Sequence, residues 1–113
     1  MMNRKKIQLF NDGILSICTI DDEENLQIVC RNIRFENRTV GAERFFKARE
    51  FQHSISNVVR IPQIDDIEDN YIVVINDKQY NILQLQSIND TFPPCWQLSL
   101  EKRKTRLELS EDD

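Results

Sequence analysis

The sequence predicts a mainly β protein: a small antiparallel β-barrel or closed sandwich of about six or seven strands, with one short α-helix at about 41–53. Three observations favour this fold class. The 113 residues include fourteen Ile and six Val but only two Ala, and β-branched side chains favour pleated strands over helices. Short apolar stretches alternate with turn sequences along the whole chain. A single segment has the spacing of an amphipathic helix.

The first part of the chain contains two predicted turns and a bent strand. Residues 5–20 are predicted as an extended pair interrupted by the turn sequence Asn-Asp-Gly, and the acidic segment 21–25 as a second turn. Within 26–36 the apolar positions change parity, which predicts a bulge near Arg31 and Asn32. Two short strands joined by a kink are the alternative.

Residues 41–53 change from a strand period to a helical one, with Phe45 and Phe46 among the apolar positions. We expect this helix to cover one open end of the closed sheet. The chain then returns to a strand over 55–61, which Pro62 ends because proline cannot donate to a ladder.

The second half predicts three further strands separated by polar segments. They are an acidic loop at 63–70, a strand at 71–75 buried on both faces, a turn at 76–78, a strand at 79–88, a proline-containing loop at 89–94 and a half-buried strand from Trp96. No composition break divides the chain, so a single domain is predicted over 1–107, followed by an acidic flexible tail at 108–113.

The charge distribution argues against a dedicated DNA-binding surface. The formal net charge is −4 and the isoelectric point is about 5.0, whereas tight duplex binding requires many cations. Residues 1–60 carry ten basic and eight acidic side chains, and residues 61–113 carry five and eleven. The basic cluster from Lys102 to Arg106 is interpreted as a solvated strand end, with contact to an acidic partner as the alternative. No apolar run approaches the length of a membrane span, so no membrane partner is expected.

Cysteine and histidine usage gives no catalytic or metal-binding pattern. Cys18, Cys30 and Cys95 lack the spacing of a zinc site or a disulfide framework, and each is expected to pack as a small, reduced side chain. His53 is the single histidine. We therefore expect a protein that is not an enzyme and that has no metal, no cofactor and no catalytic residue.

One arrangement of residues resembles a known family. A bent strand is followed by a Gly-x-Glu-x-Phe-x-x-Ala segment, a Val/Arg strand, a hairpin ending in Tyr-x-Ile and a strand of alternating leucines. In this chain the matching residues are Gly41, Glu43, Phe45 and Ala48, then Val58 to Arg60, then Tyr80 and Ile82, then Leu98 and Leu100. Over roughly residues 5–101 this pattern resembles the head-tail joining proteins of long-tailed bacteriophages, which act as head-completion proteins, adaptors or stoppers. The segment Arg60-Ile61-Pro62 and the acidic loop after it depart from the family's Arg-x-Arg strand and glycine-containing turn.

The resemblance implies a structural protein of the virion, made in the cytoplasm of the bacterial host. It implies that copies of the chain form a ring at the head-tail interface, between a portal or upstream adaptor protein and the tail or a tail-completion protein. Such a ring seals the capsid and lets the viral double-stranded DNA pass without sequence-specific binding.

The acidic loop is the candidate channel segment under this resemblance. Its candidate residues are Ile64, Asp65, Asp66, Ile67, Glu68 and Asp69. Carboxylates around a bore repel the duplex and let it slide, and the two isoleucines are expected to meet their symmetry mates and help to close the bore. Without the resemblance, the composition favours an ordinary solvated connection.

The predicted helix supplies the candidate subunit interface, formed by Arg44, Phe46 and Arg49, because two adjacent phenylalanines cannot both point into one core. Two alternatives stay open. One is a barrel of the oligonucleotide-binding type that binds single-stranded nucleic acid, which requires exposed aromatic side chains beside cations. The other is a neighbouring tail-completion protein.

Overall fold

The computed structural model describes residues 5–38, 55–65 and 67–109, and these ranges form eight β-strands and no helix. The strands are β1 (Lys6–Ile7), β2 (Gly13–Ile20), β3 (Leu26–Arg38), β4 (Asn57–Pro62), β5 (Ile72–Ile75), β6 (Lys78–Ile88), β7 (Thr91–Phe92) and β8 (Cys95–Lys102). The helix predicted at 41–53 lies outside the described residues. Within the described ranges, no helix is long and apolar enough to cross a membrane.

Six of these strands form one closed, sandwich-like sheet. Their order is β2-β3-β4-β8-β6-β5, each neighbouring pair is antiparallel, and β5 pairs back with β2. The predicted fold class is confirmed as mainly β, with a six-stranded antiparallel sheet that is sandwich-like. Strands β1 and β7 form a separate two-stranded parallel sheet, which we call the ribbon.

The main core lies inside the closed sheet, and each of its six strands contributes two buried side chains at positions i and i+2. These pairs are Leu15 and Ile17, Ile33 and Phe35, Val59 and Ile61, Val73 and Ile75, Tyr80 and Ile82, and Leu98 and Leu100. Alternate residues of a strand point to the same face, so one pair from every strand fills the interior. The alternation of Leu98 and Leu100 seen in the sequence thus marks a core-facing strand.

The predicted bulge is confirmed in β3. The register gains one residue between Cys30 and Ile33, so that Arg31 and Asn32 together oppose a single residue of β2. Asn32 has a φ of 59°, a left-handed conformation that asparagine tolerates better than most residues. The extra residue changes the parity of the strand, which turns Ile33 toward the core.

The turn between β5 and β6 is also confirmed. Ile75 pairs with Lys78, and the two residues between them, Asn76 and Asp77, have φ values of 50° and 67°. Two successive positive φ angles are typical of a type I′ turn, whose twist matches that of antiparallel strands.

The pairing of the N-terminal segment differs from the prediction. Strand β1 does not pair with β2 but runs parallel to β7, which lies in the segment 89–94 predicted as a loop. Backbone hydrogen bonds from Lys6 N to Asp90 O (3.3 Å) and from Gln8 N to Phe92 O (2.9 Å) hold the two strands together. These bonds satisfy backbone groups of a segment that was predicted to pair with β2 and of a segment that was predicted as a loop.

Strand β8 was predicted as half-buried, and the structure shows burial on both faces. Gln97 and Ser99, which alternate with the core leucines, are 8% and 1% exposed. The side-chain oxygen of the buried Gln97 accepts a hydrogen bond from Arg60 Nε (2.8 Å). A buried amide with a charged partner retains its hydrogen bonding, which allows a polar residue at this position.

The C-terminal segment crosses the outside of the closed sheet. The Gln79 side chain donates to Leu107 O (2.7 Å) and accepts from Leu107 N (2.8 Å), and Leu26 N donates to Glu108 O (2.7 Å). Leu107 packs against a second apolar cluster built around Cys18 and Leu26. Glu108 and Leu109, the first residues of the predicted flexible tail, therefore lie against β3, and residues 110–113 are outside the described part.

Two residues of the basic cluster are also held by the fold. Arg103 Nη1 donates to Asn81 Oδ1 (2.7 Å), and Arg106 forms an ion pair with Asp77 (2.6 Å). Lys102 and Lys104 are exposed, so only part of the cluster is the solvated strand end that the sequence predicts.

Candidate functional site

The acidic loop connects β4 to β5 and is anchored at its start by Gln63. The Gln63 amide nitrogen lies within hydrogen-bond distance of Ser87 Oγ (2.9 Å), Asn89 Oδ1 (3.1 Å) and Cys95 O (3.2 Å). These acceptors lie on or beside β6 and β8, so the loop leaves the sheet from a defined point. A side chain that joins three segments restricts the backbone that follows it.

The two isoleucines of the loop pack on the protein's own core. Ile64 and Ile67 are partly buried against the main cluster, and Trp96 Nε1 donates to Ile64 O (3.1 Å). The expectation that the isoleucines also meet their symmetry mates stays a prediction. Burial of apolar side chains against the existing core is favourable within each molecule, so they fix the loop to the sheet.

The described acidic side chains of the loop are open to solvent. Asp65, Glu68 and Asp69 are exposed, and none of their carboxylates is hydrogen-bonded or ion-paired to another described residue. Asp66 lies outside the described residues. Three unpaired carboxylates on an anchored loop form a fixed negative surface, which repels polyanions and attracts cationic groups.

A second polar site lies between the ribbon and the outer face of β3 and β4. It is a recess of about 220 Å³. The polar and charged residues of its wall include Lys6, Gln8, Glu36, Arg38, Arg60 and Asp90. We call this site the recess; its residues come from parts of the chain that are far apart in sequence, namely 6–8, 36, 38, 60 and 90–91.

Arg60 is the best-positioned cation of the recess. Its Nε donates to Gln97 Oε1 (2.8 Å) and its Nη1 to Gln8 Oε1 (3.0 Å), and both glutamines are buried. The Gln8 amide nitrogen donates to Leu9 O (2.8 Å), which fixes the Gln8 oxygen as the acceptor. Two buried amides thus hold the guanidinium plane in place.

The charge of Arg60 has no carboxylate partner among the described residues. Glu36 is its direct neighbour across the β3–β4 pairing, yet Glu36 binds Arg38 instead (2.9 Å). A guanidinium has five N–H donors, and two hydrogen bonds leave the others available. A half-buried, oriented guanidinium with spare donors is suited to bind an oxyanion such as a carboxylate.

Sequence patterns do not identify the recess, because its residues are far apart along the chain. Lys6, Arg60 and Asp90 meet through the pairing of β1 with β7 and through the position of Arg60 on the outer face of β4, as shown by the buried alternates Val59 and Ile61. The alternation of β4 alone indicates that Arg60 faces outward, but it does not indicate what covers it.

The other predicted site residues fall into two groups. Tyr80 and Ile82 lie in the main core, where they support the sheet. The interface residues Arg44, Phe46 and Arg49 and the motif residues Gly41, Glu43, Phe45 and Ala48 lie outside the described residues.

Among the described residues, no three side chains of His, Cys, Asp or Glu converge as metal ligands. Cys18 and Cys95 are buried, Cys30 is partly buried, and none of the three is in a disulfide bond. Neither the known protein-family models nor the curated protein sequences contain a match to this chain.

Proposed function

We propose that the protein is a structural subunit of the head-tail connector of a long-tailed bacteriophage. Copies of the chain form a ring between a portal or adaptor protein and the tail, and the ring seals the filled capsid and lets the genome pass. The proposal comes from the resemblance in the sequence. Among the structural observations, the anchored acidic loop between β4 and β5 supports it most directly.

The placement of the loop suits a ring that surrounds DNA. Ile64 and Ile67 tie the loop to the core, while Asp65, Glu68 and Asp69 stay exposed. When several copies are arranged around one axis, such loops place a band of carboxylates at the same height. Negative charge on both the wall and the duplex prevents tight contact, so the DNA slides rather than binds.

The closed sheet supports a structural role in a second way. Strand edges that remain open invite uncontrolled pairing between molecules, and here each of the six strands pairs on both sides. Contacts with other copies then form through side chains and the ribbon, which favours assembly with a defined geometry.

The alternative of a barrel that binds single-stranded nucleic acid has less support. Trp96 is the candidate aromatic residue for such a surface, but it packs on the core and donates its indole N–H to Ile64 O. A base-stacking platform needs an accessible ring face with cations beside it. A tail-completion role is the closer alternative, since it differs in the position of the ring rather than in its chemistry.

The test is deletion of the gene from the phage that encodes the protein, with complementation from a plasmid. We expect heads that package DNA but lose it and do not join tails. We also expect electron microscopy of complemented particles to locate the protein between the portal or adaptor protein and the tail. Density on the tail side alone supports the tail-completion alternative. Full DNA retention and normal tail joining in the deletion strain overturn the proposal.

The role of the loop is tested by complementation with Asp65→Lys and Glu68→Lys together. We expect particles that assemble but eject DNA more slowly, because lysines in the bore bind phosphate. The matched control is Glu101→Lys with Glu108→Lys, which changes the net charge equally outside the loop. Equal ejection rates for the two double variants contradict a bore position for the loop.

A further inference from the structure

A second acidic segment, the turn between β2 and β3, is a rigid protrusion. The Asp21 carboxylate accepts hydrogen bonds from Glu23 N and Asn25 N (both 2.9 Å), and Asp21 N donates to Asn25 O (2.9 Å). Glu24 has a φ of 63°, as expected at a tight reversal. Residues 21–25, which we call the acidic turn, therefore have a fixed shape.

The acidic turn presents its charge outward. The side chains of Asp22, Glu23 and Glu24 are exposed, and none of them is paired with another described residue. Because Asp21 satisfies the backbone of the turn, the other three carboxylates are available to an external partner.

The acidic turn and the recess lie at opposite ends of one strand. The turn precedes Leu26, the first residue of β3, and the recess includes Glu36 and Arg38 near its end. The 13 residues of β3 correspond to a contour of about 40 Å at about 3.3 Å per residue. The turn of one molecule is therefore placed to meet the recess of another copy rather than its own.

Exposed apolar side chains flank both the recess and the acidic turn. At the recess, Ile7 is 77% exposed and pairs with Phe92, which is 66% exposed. At the acidic turn, Ile20 and Leu109 are exposed on either side of Leu26. Clustered exposed apolar side chains beside charged groups are typical of protein interaction surfaces.

We propose that the acidic turn of one copy binds in the recess of the next copy, with its carboxylates against Arg60 and Lys6 and with the two apolar flanks in contact. This inference rests on the proposed function, which supplies the ring of copies. It deepens that function by naming the contact between neighbouring copies. The two surfaces differ, so every copy uses one of each, and head-to-tail contacts of this kind generate closed rings or open filaments.

The recess has the capacity and the charge for this role. Its volume of about 220 Å³ corresponds to about seven water molecules at about 30 Å³ each, enough for carboxylate side chains. Among the described residues, its wall holds three cations and two carboxylates, and Arg38 is already paired with Glu36. Asp90 opposes the incoming charge, so its removal is expected to tighten the contact.

The association of a single pair is expected to be weak and sensitive to salt. Exposed ion pairs each contribute about two- to fivefold to affinity, and screening reduces this contribution. We therefore expect reversible self-association of the purified protein at high concentration and low salt, and several simultaneous contacts stabilise the closed ring.

The experiment is sedimentation velocity of the purified full chain up to millimolar concentration, at low and at high salt, with two charge-reversed variants. The first carries Asp22→Lys and Glu23→Lys, and the second carries Lys6→Glu and Arg38→Glu. Each variant alone places like charges at the contact, so we expect at least a tenfold loss of association. An equimolar mixture places opposite charges at both contacts and is expected to restore it.

The matched control is Lys102→Glu with Lys104→Glu, which changes the net charge as much as the second variant but lies outside both surfaces, and it is expected to associate like the wild type. Asp90→Asn is expected to associate about threefold more tightly, within the range given for one ion pair. A wild-type protein that stays monomeric at millimolar concentration and low salt overturns the contact, as does a mixture that stays monomeric. Either result leaves the deletion phenotype, and with it the proposed function, to be judged separately.

Discussion

The part of the chain that the structure describes carries two acidic connections, which resemble each other in composition and differ in the interactions that hold them. The loop between β4 and β5 is anchored to the sheet: Ile64 and Ile67 are partly buried against the core, and the Gln63 amide nitrogen lies within hydrogen-bond distance of three acceptors. The acidic turn between β2 and β3 is held by hydrogen bonds within the turn, in which the Asp21 carboxylate accepts from the backbone N–H groups of Glu23 and Asn25.

The difference shows that a run of carboxylates does not by itself define a role. In the loop, apolar residues placed between the acids fix the position of the segment relative to the sheet. In the acidic turn, a capping aspartate fixes its shape and leaves the neighbouring acids exposed. The first arrangement suits a lining whose distance from an axis matters, and the second suits a protrusion that enters a complementary surface.

The largest expected effect comes from removal of the apolar anchor. Ile64→Ala with Ile67→Ala is expected to lower the free energy of unfolding by about 2–3 kcal/mol, less than two fully buried isoleucines because both are partly exposed. Urea denaturation measures this loss. Ile20→Ala, at an exposed position beside the acidic turn, is the control and is expected to change stability little. Equal losses of stability in the Ile64→Ala, Ile67→Ala double variant and in the Ile20→Ala control would mean that the core does not anchor the loop.

An intermediate effect is expected from loss of the internal cap. Asp21→Ala removes the acceptor of two backbone N–H groups and is expected to lower stability by about 1 kcal/mol. Faster amide hydrogen exchange at Glu23 and Asn25 locates the effect in the turn. Asp22→Ala changes the charge equally without touching these bonds, so unchanged exchange is expected there. If Asp22→Ala accelerates exchange as much as Asp21→Ala, charge rather than capping holds the turn.

The smallest effect is expected from the exposed acids of the loop. Asp65→Asn, Glu68→Gln and Asp69→Asn together are expected to change stability by less than about 0.5 kcal/mol, because surface charges without partners contribute little to folding. Thermal unfolding followed by circular dichroism measures this. A marked loss of stability would show that these carboxylates have a structural partner and are not free to line a bore.

Much of the closed sheet follows from local patterns. The alternation of Leu98 with Leu100 and the parity change at Asn32 correctly locate a core strand and the β3 bulge. The pair Asn76 and Asp77 correctly marks a hairpin, since few other residues accept two positive φ angles. Each of these features depends on a few neighbouring residues, which is the range over which sequence patterns carry information.

The recess and the ribbon could not be predicted in this way. Strands of two residues have no period, and the segment around Pro93 and Pro94 has the composition of a loop. Gln8, which follows β1, and Gln97 in β8 are buried where each accepts a hydrogen bond from Arg60 of β4. Amphipathic patterns place glutamines on the surface, so a polar interaction buried between distant segments leaves no local signature.

The segment around Leu107 affects when the main sheet can be covered during synthesis of the chain. The pairing of β2 with β5, which closes the sheet, spans only three residue pairs, and Leu107 covers its outer side next to Cys18 and Ile72. Gln79 holds this cover through both backbone groups of Leu107. During synthesis, this seam between β2 and β5 therefore stays uncovered until Leu107 has emerged from the ribosome. A chain cut short before Leu107 has all six strands of the main sheet but lacks the segment that covers the seam.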